Sequence, residues 1–149
     1  MGIGVLAECY LNECIAKEIL KRIGIRARPT HKKYYGRDRV LKEAKDLIKR
    51  GQIDKALLLI DYEEGASRYY LERVFSSRNN VYEEKVIVGK DNTGKIIAVI
   101  FDPHPENVLG VQDLRSKSKE ACKIIKQKNI QNRLENILKK IVEILKENL

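Results

Sequence analysis

Three short apolar runs in this 149-residue chain end in acid. Ile3 to Ala7 stops at Glu8. Ala56 to Ile60 stops at Asp61, with Glu63 and Glu64 just beyond and Gly65 closing the turn. Lys95 to Phe101 stops at Asp102, with Glu106 nearby. A short apolar run bounded by turn chemistry is the pattern of a strand buried on both faces, as in a parallel sheet. Open α/β sheets hold their ligands at the carboxyl ends of the strands, which is where these carboxylates fall. Carboxylates brought to one edge repel one another unless protonated or bridged by a cation. Mg²⁺ takes one or two carboxylates and keeps several waters, so the grouping implies a Mg²⁺ (or Mn²⁺) site suited to phosphoryl chemistry. Asp61 and Glu63 are two apart, so both side chains of an extended segment would point the same way. The competing reading is a solvated acidic turn after each core strand.

The elements that must position these groups follow from periodicity and punctuation. Asn12 is placed to cap a helix running to about Ile23, with Ile15, Ala16, Ile19, Leu20 and Ile23 on one face and Gly24 as its stop. Ile25 to Thr30 could add a strand, pushed to an edge by Pro29. Val40 to Lys49 reads as a helix ended by Gly51, Lys55 to Ile60 as a strand, and Ser67 to Ser76 as a helix. Glu84 to Val88 and Lys95 to Phe101 read as a hairpin across KDNTG. From about Ser118 the chain is helical, with Ile130, Leu134, Ile137, Ile141 and Ile144 repeating at four and three. The order implies one α/β domain over 1–149, with a core to about 110 and a C-terminal helical segment from about 115. Its expected form is three layers around a mainly parallel central sheet, with right-handed crossovers and a long C-terminal helix. That helix's apolar stripe would cover its own sheet; a homodimer through it is the alternative.

The chain carries a net charge of +9. Residues 21 to 50 hold twelve basic side chains against three acidic ones, so this segment alone is +9 and the remainder balances. Tyr34 and Tyr35 interrupt its basic run. Lys32, Lys33, Arg37 and Arg39, with those two rings, offer charge for phosphates and faces for unstacked bases, which implies DNA or RNA as partner. The plainer reading is a solvated helix face with packed tyrosines. No apolar run is long enough to span a bilayer, so no membrane partner is expected. The N-terminus lacks the form of a signal peptide. Three cysteines without a CxxC pair argue against structural zinc and for packed thiols in a reducing cytoplasm. His31 and His104 read as surface histidines. A P-loop, a GxGxxG fingerprint and a GxSxG elbow are all missing.

An apolar strand ending in Glu, then a helix, then a later strand ending in Asp-x-acid resembles the Toprim domain of topoisomerases, primases and related nucleases. Glu8 in LAECYLNE matches the strand-end Glu, and Asp61 and Glu63 in LLLIDYEEG match the Asp-x-Asp pair. Asp102 or Glu106 in IFDPHPENVL would occupy a further acidic motif found in compact Toprim-like proteins. The resemblance covers roughly the first two-thirds of the chain. Two departures stand out: Cys9 follows Glu8 where the family has Gly, and Glu63 replaces the second Asp. The resemblance implies a Toprim/Rossmann-like fold and a Mg²⁺-dependent nuclease or phosphodiester-transfer enzyme. Glu8 would be catalytic base or metal ligand, and Asp61, Glu63 and Asp102 would be metal ligands. The alternative is a non-catalytic nucleic-acid-binding or interaction module that keeps the fold.

Overall fold

The strand Lys55–Asp61 shows why the chain folds as it does. Ala56 to Ile60 are fully buried, which requires a neighbour on each side and cover on each face. The computed structural model describes residues 2–31, 37–62, 66–83, 85–112 and 118–149, with only the backbone described for Arg37, Ala66, Ser67 and Arg68. In chain order the elements are β1 (Ile3–Ala7), α1 (Tyr10–Ile23), α2 (Arg37–Lys49), β2 (Lys55–Asp61), α3 (Ala66–Val74), β3 (Ser77–Tyr82), β4 (Val86–Lys90), β5 (Ile96–Phe101), α4 (Pro105–Leu109), α5 (Ala121–Ile124) and α6 (Lys128–Asn148).

The strands form one five-stranded sheet in the order β1-β2-β5-β4-β3. β1 pairs parallel with β2, and β2 parallel with β5, while β5–β4 and β4–β3 are antiparallel. The sheet is therefore mixed, not mainly parallel. The cause is local: β4 and β5 are joined by the five-residue turn Asp91 to Lys95, too short for a crossover, so the pair must be antiparallel. Gly94 supplies the left-handed residue of that turn, at φ 72°.

Alternation along the strands sends apolar side chains to two clusters. Val5, Leu57, Leu59, Ile97, Val99 and Phe101 pack with α1, α4, α5 and α6. Leu6, Ala56, Leu58, Ile60, Ala98 and Ile100 pack with α2 and with Leu71 and Phe75 at α3. Each such Leu or Ile taken from water contributes roughly 1.5–3 kcal/mol. The α6 stripe, Ile130, Leu134, Ile137, Leu138, Ile141, Val142 and Leu145, is buried on its own sheet. At the far end of α6, Lys55 Nζ donates to the Asn148 carbonyl (3.2 Å) and Lys90 Nζ to Asn148 Oδ1 (3.0 Å). These cations face the negative end of the helix dipole. No described helix is long and apolar enough to cross a membrane.

Several local expectations shift. Cys9, not Asn12, is the N-cap of α1, and Gly24 ends that helix in the left-handed region. Ile25 to Thr30 contributes a single bridge, Leu6 to Thr30, beside the edge strand β1. The helix expected to reach Ser76 ends at Val74, and β3 follows it. That strand is polar and exposed over Ser77 to Asn80, with a bulge before Tyr82. An edge strand needs no apolar alternation, so its pattern is weak. Cys14 and Cys122 form a disulfide across 108 residues, leaving Cys9 as the free thiol; the expectation of three packed thiols does not hold.

Gly89 in β4 leaves room for Phe75, since a Cβ there would lie 2.8 Å from Phe75 Cβ. Phe75 is fully buried and cannot give way. Gly89→Ala is expected to cost about 1–3 kcal/mol, the usual scale of overpacking. Urea unfolding of the variant measures it; an unchanged midpoint would contradict this packing.

Candidate metal and nucleic-acid site

Parallel adjacency of β1 and β2 brings Glu8 and Asp61 to one edge of the sheet. In register, Ala7 lies opposite Leu59, and Glu8 N–H donates to the Leu59 carbonyl (3.0 Å). The next ladder bond of a parallel pair would run from Asp61 N–H to the Glu8 carbonyl. β1 has already turned toward α1, and Glu8 Oε2 accepts that N–H instead, at 2.8 Å. The Glu8 carboxylate thus stands in for its own backbone oxygen. This is a structural task, distinct from the catalytic or metal-binding role that the resemblance implies for it.

Asp61 is on the face shared with Leu57 and Leu59, and it is only 6% exposed. Its oxygens are met from two directions. Asn12 Nδ2, from the fully buried Asn12 of α1, donates to Oδ1 at 3.0 Å. His104 Nδ1, at the N-cap of α4, lies 3.1 Å from Oδ2. Burial raises the Asp61 pKa above its usual 3.8; the hydrogen bonds from Asn12 and His104 oppose the rise, and the charge of Glu106 adds to it. The neighbouring Cys9 thiol is pushed up to about 12, chiefly by burial and then by the charge of Asp61, with Glu106 and Glu8 adding to it. It is therefore a poor nucleophile.

From the β5 side comes Glu106, in the first turn of α4. Its Oε1 is buried without a hydrogen-bond partner among the described residues, as is Asn12 Oδ1. Glu106 is also one of the charges acting on both Asp61 and Cys9. Asp102 precedes a cis Pro103, and its N–H donates to the Lys85 carbonyl at 2.8 Å, fixing the turn out of β5. Among the described residues, no group of three His, Cys, Asp or Glu side chains is arranged to hold a metal ion. Glu63 lies outside the described residues.

Sequence reasoning missed Asn12 and His104 as partners of Asp61. Asn12 carried a signal that went unused: an amide in the first turns of an otherwise apolar helix face has to find a partner when buried. His104 sits between two prolines, and only the sheet order brings it to β2.

The basic segment divides. Lys21 and Arg22 are exposed on α1, which packs on one sheet face; Lys42, Lys45 and Lys49 are exposed on α2, which packs on the other. Between them Arg26 and Arg28 are exposed where the chain passes the free edge of β1, tied there by Ala7 N–H to the Thr30 carbonyl (2.9 Å). His31 is half-buried: its Nδ1 is 3.2 Å from the Ala7 carbonyl, and its ring meets Tyr10 edge-on at 4.5 Å. Arg39 is exposed in α2. Lys32, Lys33, Tyr34 and Tyr35 lie outside the described residues, as does the Arg37 side chain. Compared with protein-family models, curated proteins and solved structures, the chain gives no match.

A raised carboxyl pKa in the folded state favours folding below the unfolded value and loses that contribution as pH rises through the folded value. Ionised Asp61 therefore lowers stability at neutral pH. Asp61→Asn, which can keep the acceptor for Asn12, is expected to be more stable than wild type at pH 7 in EDTA. The advantage should shrink as pH falls toward 3.8. Thermal melts across pH measure it; a variant less stable than wild type at neutral pH would refute the assignment.

Proposed function

We propose that the chain is a metal-dependent nucleic-acid-processing protein, a small Toprim-like nuclease or phosphodiester-transfer enzyme with a three-layer Toprim/Rossmann-like arrangement. The observation that carries this reading is the pairing of β1 with β2, which puts Glu8 and Asp61 one hydrogen bond apart at the carboxyl edge of parallel strands. An orphaned carboxylate oxygen on Glu106, close enough for its charge to act on Asp61, adds to it. These donors are all hard oxygens, which fit Mg²⁺ or Mn²⁺, and an ion with several waters needs only one or two of them. Glu8 and Asp61 would hold the ion, with Glu63, Glu106 or Asp102 completing the set. Bound there, it would offset the charge that develops on a phosphodiester. The cations along the β1 edge, with Lys32, Lys33, Tyr34, Tyr35, Arg37 and Arg39, would bring DNA or RNA to that edge.

A second reading has its own support. Glu8 and Asp61 are already engaged within the protein, and no three-ligand group occurs among the described residues. A fold that binds nucleic acid without cleaving it accounts for both facts. A homodimer would have to use surface other than the α6 stripe, which is consumed in the core.

Glu8→Gln separates the two. If Glu8 serves catalysis, nuclease turnover with Mg²⁺ or Mn²⁺ is expected to fall at least ~10²-fold, the scale of losing an acid–base group. Nucleic-acid affinity should hold, and calorimetric Mn²⁺ binding should weaken. Wild-type protein that neither binds Mn²⁺ nor cleaves DNA or RNA would overturn the enzyme reading and leave the binding protein.

A further inference from the structure

The opposite end of the sheet is concave. A pocket of about 600 Å³ opens between α2, α3 and the β4–β5 turn, within the size range of small-ligand sites. Lys45 and Lys49 reach it from α2, one helical turn apart; Arg73 comes from the last turn of α3, and Lys95 from the hairpin. All four are exposed, and among the described residues none of them is in an ion pair. Ile48, Val74 and Ile96 contribute the apolar part of its wall. Among the described residues, Asp91 is the one carboxylate that lines the pocket, and it is committed to the turn. Thr93 Oγ1 donates to it at 2.8 Å, and Ile96 N–H donates to its Oδ1 at 3.3 Å.

Four cations from three separate elements, converging on a concavity with apolar walls, is more than a solvated helix face provides. We propose that this pocket binds a nucleotide unit, its phosphate among Lys45, Lys49, Arg73 and Lys95 and its base against Ile48, Val74 and Ile96. The chemistry is shared by a nucleotide within a nucleic-acid strand and by a free nucleotide. The site is independent of the carboxylate edge and of any metal held there.

Binding is measured in EDTA, so cleavage and metal play no part. The probes are an eight-residue oligo(dT), ATP and inorganic pyrophosphate, followed by fluorescence anisotropy or calorimetry. Wild type should bind oligo(dT), ATP or both, and more tightly than pyrophosphate. The variant Lys45→Glu/Lys49→Glu changes exposed residues, and its melt verifies folding. It should lose at least ~10-fold in affinity, with the oligo(dT) salt slope reduced by about 1.4, the value for two phosphate contacts on a single strand. The control Lys139→Glu/Lys140→Glu makes the same charge change on exposed positions of α6 and should lose far less. Oligo(dT) binding without ATP binding assigns the pocket to a strand, and the converse assigns it to a free nucleotide. Equal losses from the two double variants, pyrophosphate binding as tightly as the tighter of oligo(dT) and ATP, or no binding of any probe would overturn the proposal. Nuclease activity that persists in Lys45→Glu/Lys49→Glu with unchanged affinity would sink the pocket and leave the carboxylate edge standing.

Discussion

The arrangement depends on a carboxylate placed where water is scarce. Asp61 ends a strand buried at every position after Lys55, and a buried anion is costly unless it is hydrogen-bonded. The molecule reduces that cost from both flanks without cancelling it: Asn12 arrives from α1 and His104 from the N-cap of α4. Each contact fixes an element. Asn12 ties α1 to the end of β2, and His104 ties the turn after β5 to the same point. Glu8 then closes the gap left where β1 departs, by taking the Asp61 N–H. Two segments far apart in sequence, one carrying Glu8 and Asn12 and the other His104, are thus locked around Asp61 by polar contacts, on top of the apolar packing that assembles the sheet.

Much of this could be read from residue order, because apolar runs and their terminators are local signals. Ala56 to Ile60 announced a central strand, Gly24 and Gly51 announced helix ends, and Asn92 with Gly94 announced the hairpin. Adjacency of Glu8 and Asp61 was implied once both were strand ends in a parallel arrangement. What escaped depended on long-range placement. The partner of Asp61 in α1 is 49 residues away, and the disulfide spans 108; neither separation leaves a periodic trace. β3 escaped for the opposite reason: an exposed edge strand such as SRNNVY carries almost no apolar alternation. The basic segment, contiguous in sequence, does not form one surface, since a chain that crosses from one sheet face to the other splits its charges between them.

Glu8 shows how structural and chemical roles compete for one side chain. A carboxylate that replaces a ladder carbonyl gains a backbone hydrogen bond and loses freedom. If it also approaches a cation, it must share its oxygens between ion and N–H. Such sharing is natural for a carboxylate, which accepts several bonds at once. A Gln in its place would keep one acceptor for Asp61 N–H while surrendering the charge, so the strand end can survive a change that removes the chemistry.

Charge also runs along the strands. KALLLID begins with Lys55 and ends with Asp61; KIIAVIFD begins with Lys95 and ends with Asp102. β2 and β5 are parallel neighbours, so these polarities add instead of cancelling. One edge of the sheet collects carboxylates, and the other collects Lys55, Lys95, Lys45 and Lys49 against the turn-bound Asp91. Fields of opposite sign at the two ends would orient a polyanion before it made any contact. A phosphate would be drawn toward the amino ends of β2 and β5 and repelled from the carboxyl ends unless something neutralised those carboxylates. A cation bound beside Glu8 and Asp61 would remove that repulsion locally and leave the attraction at the other end intact. On this argument the metal would act on where a strand lies as well as on its bonds, because it decides whether the anionic edge admits a phosphate at all.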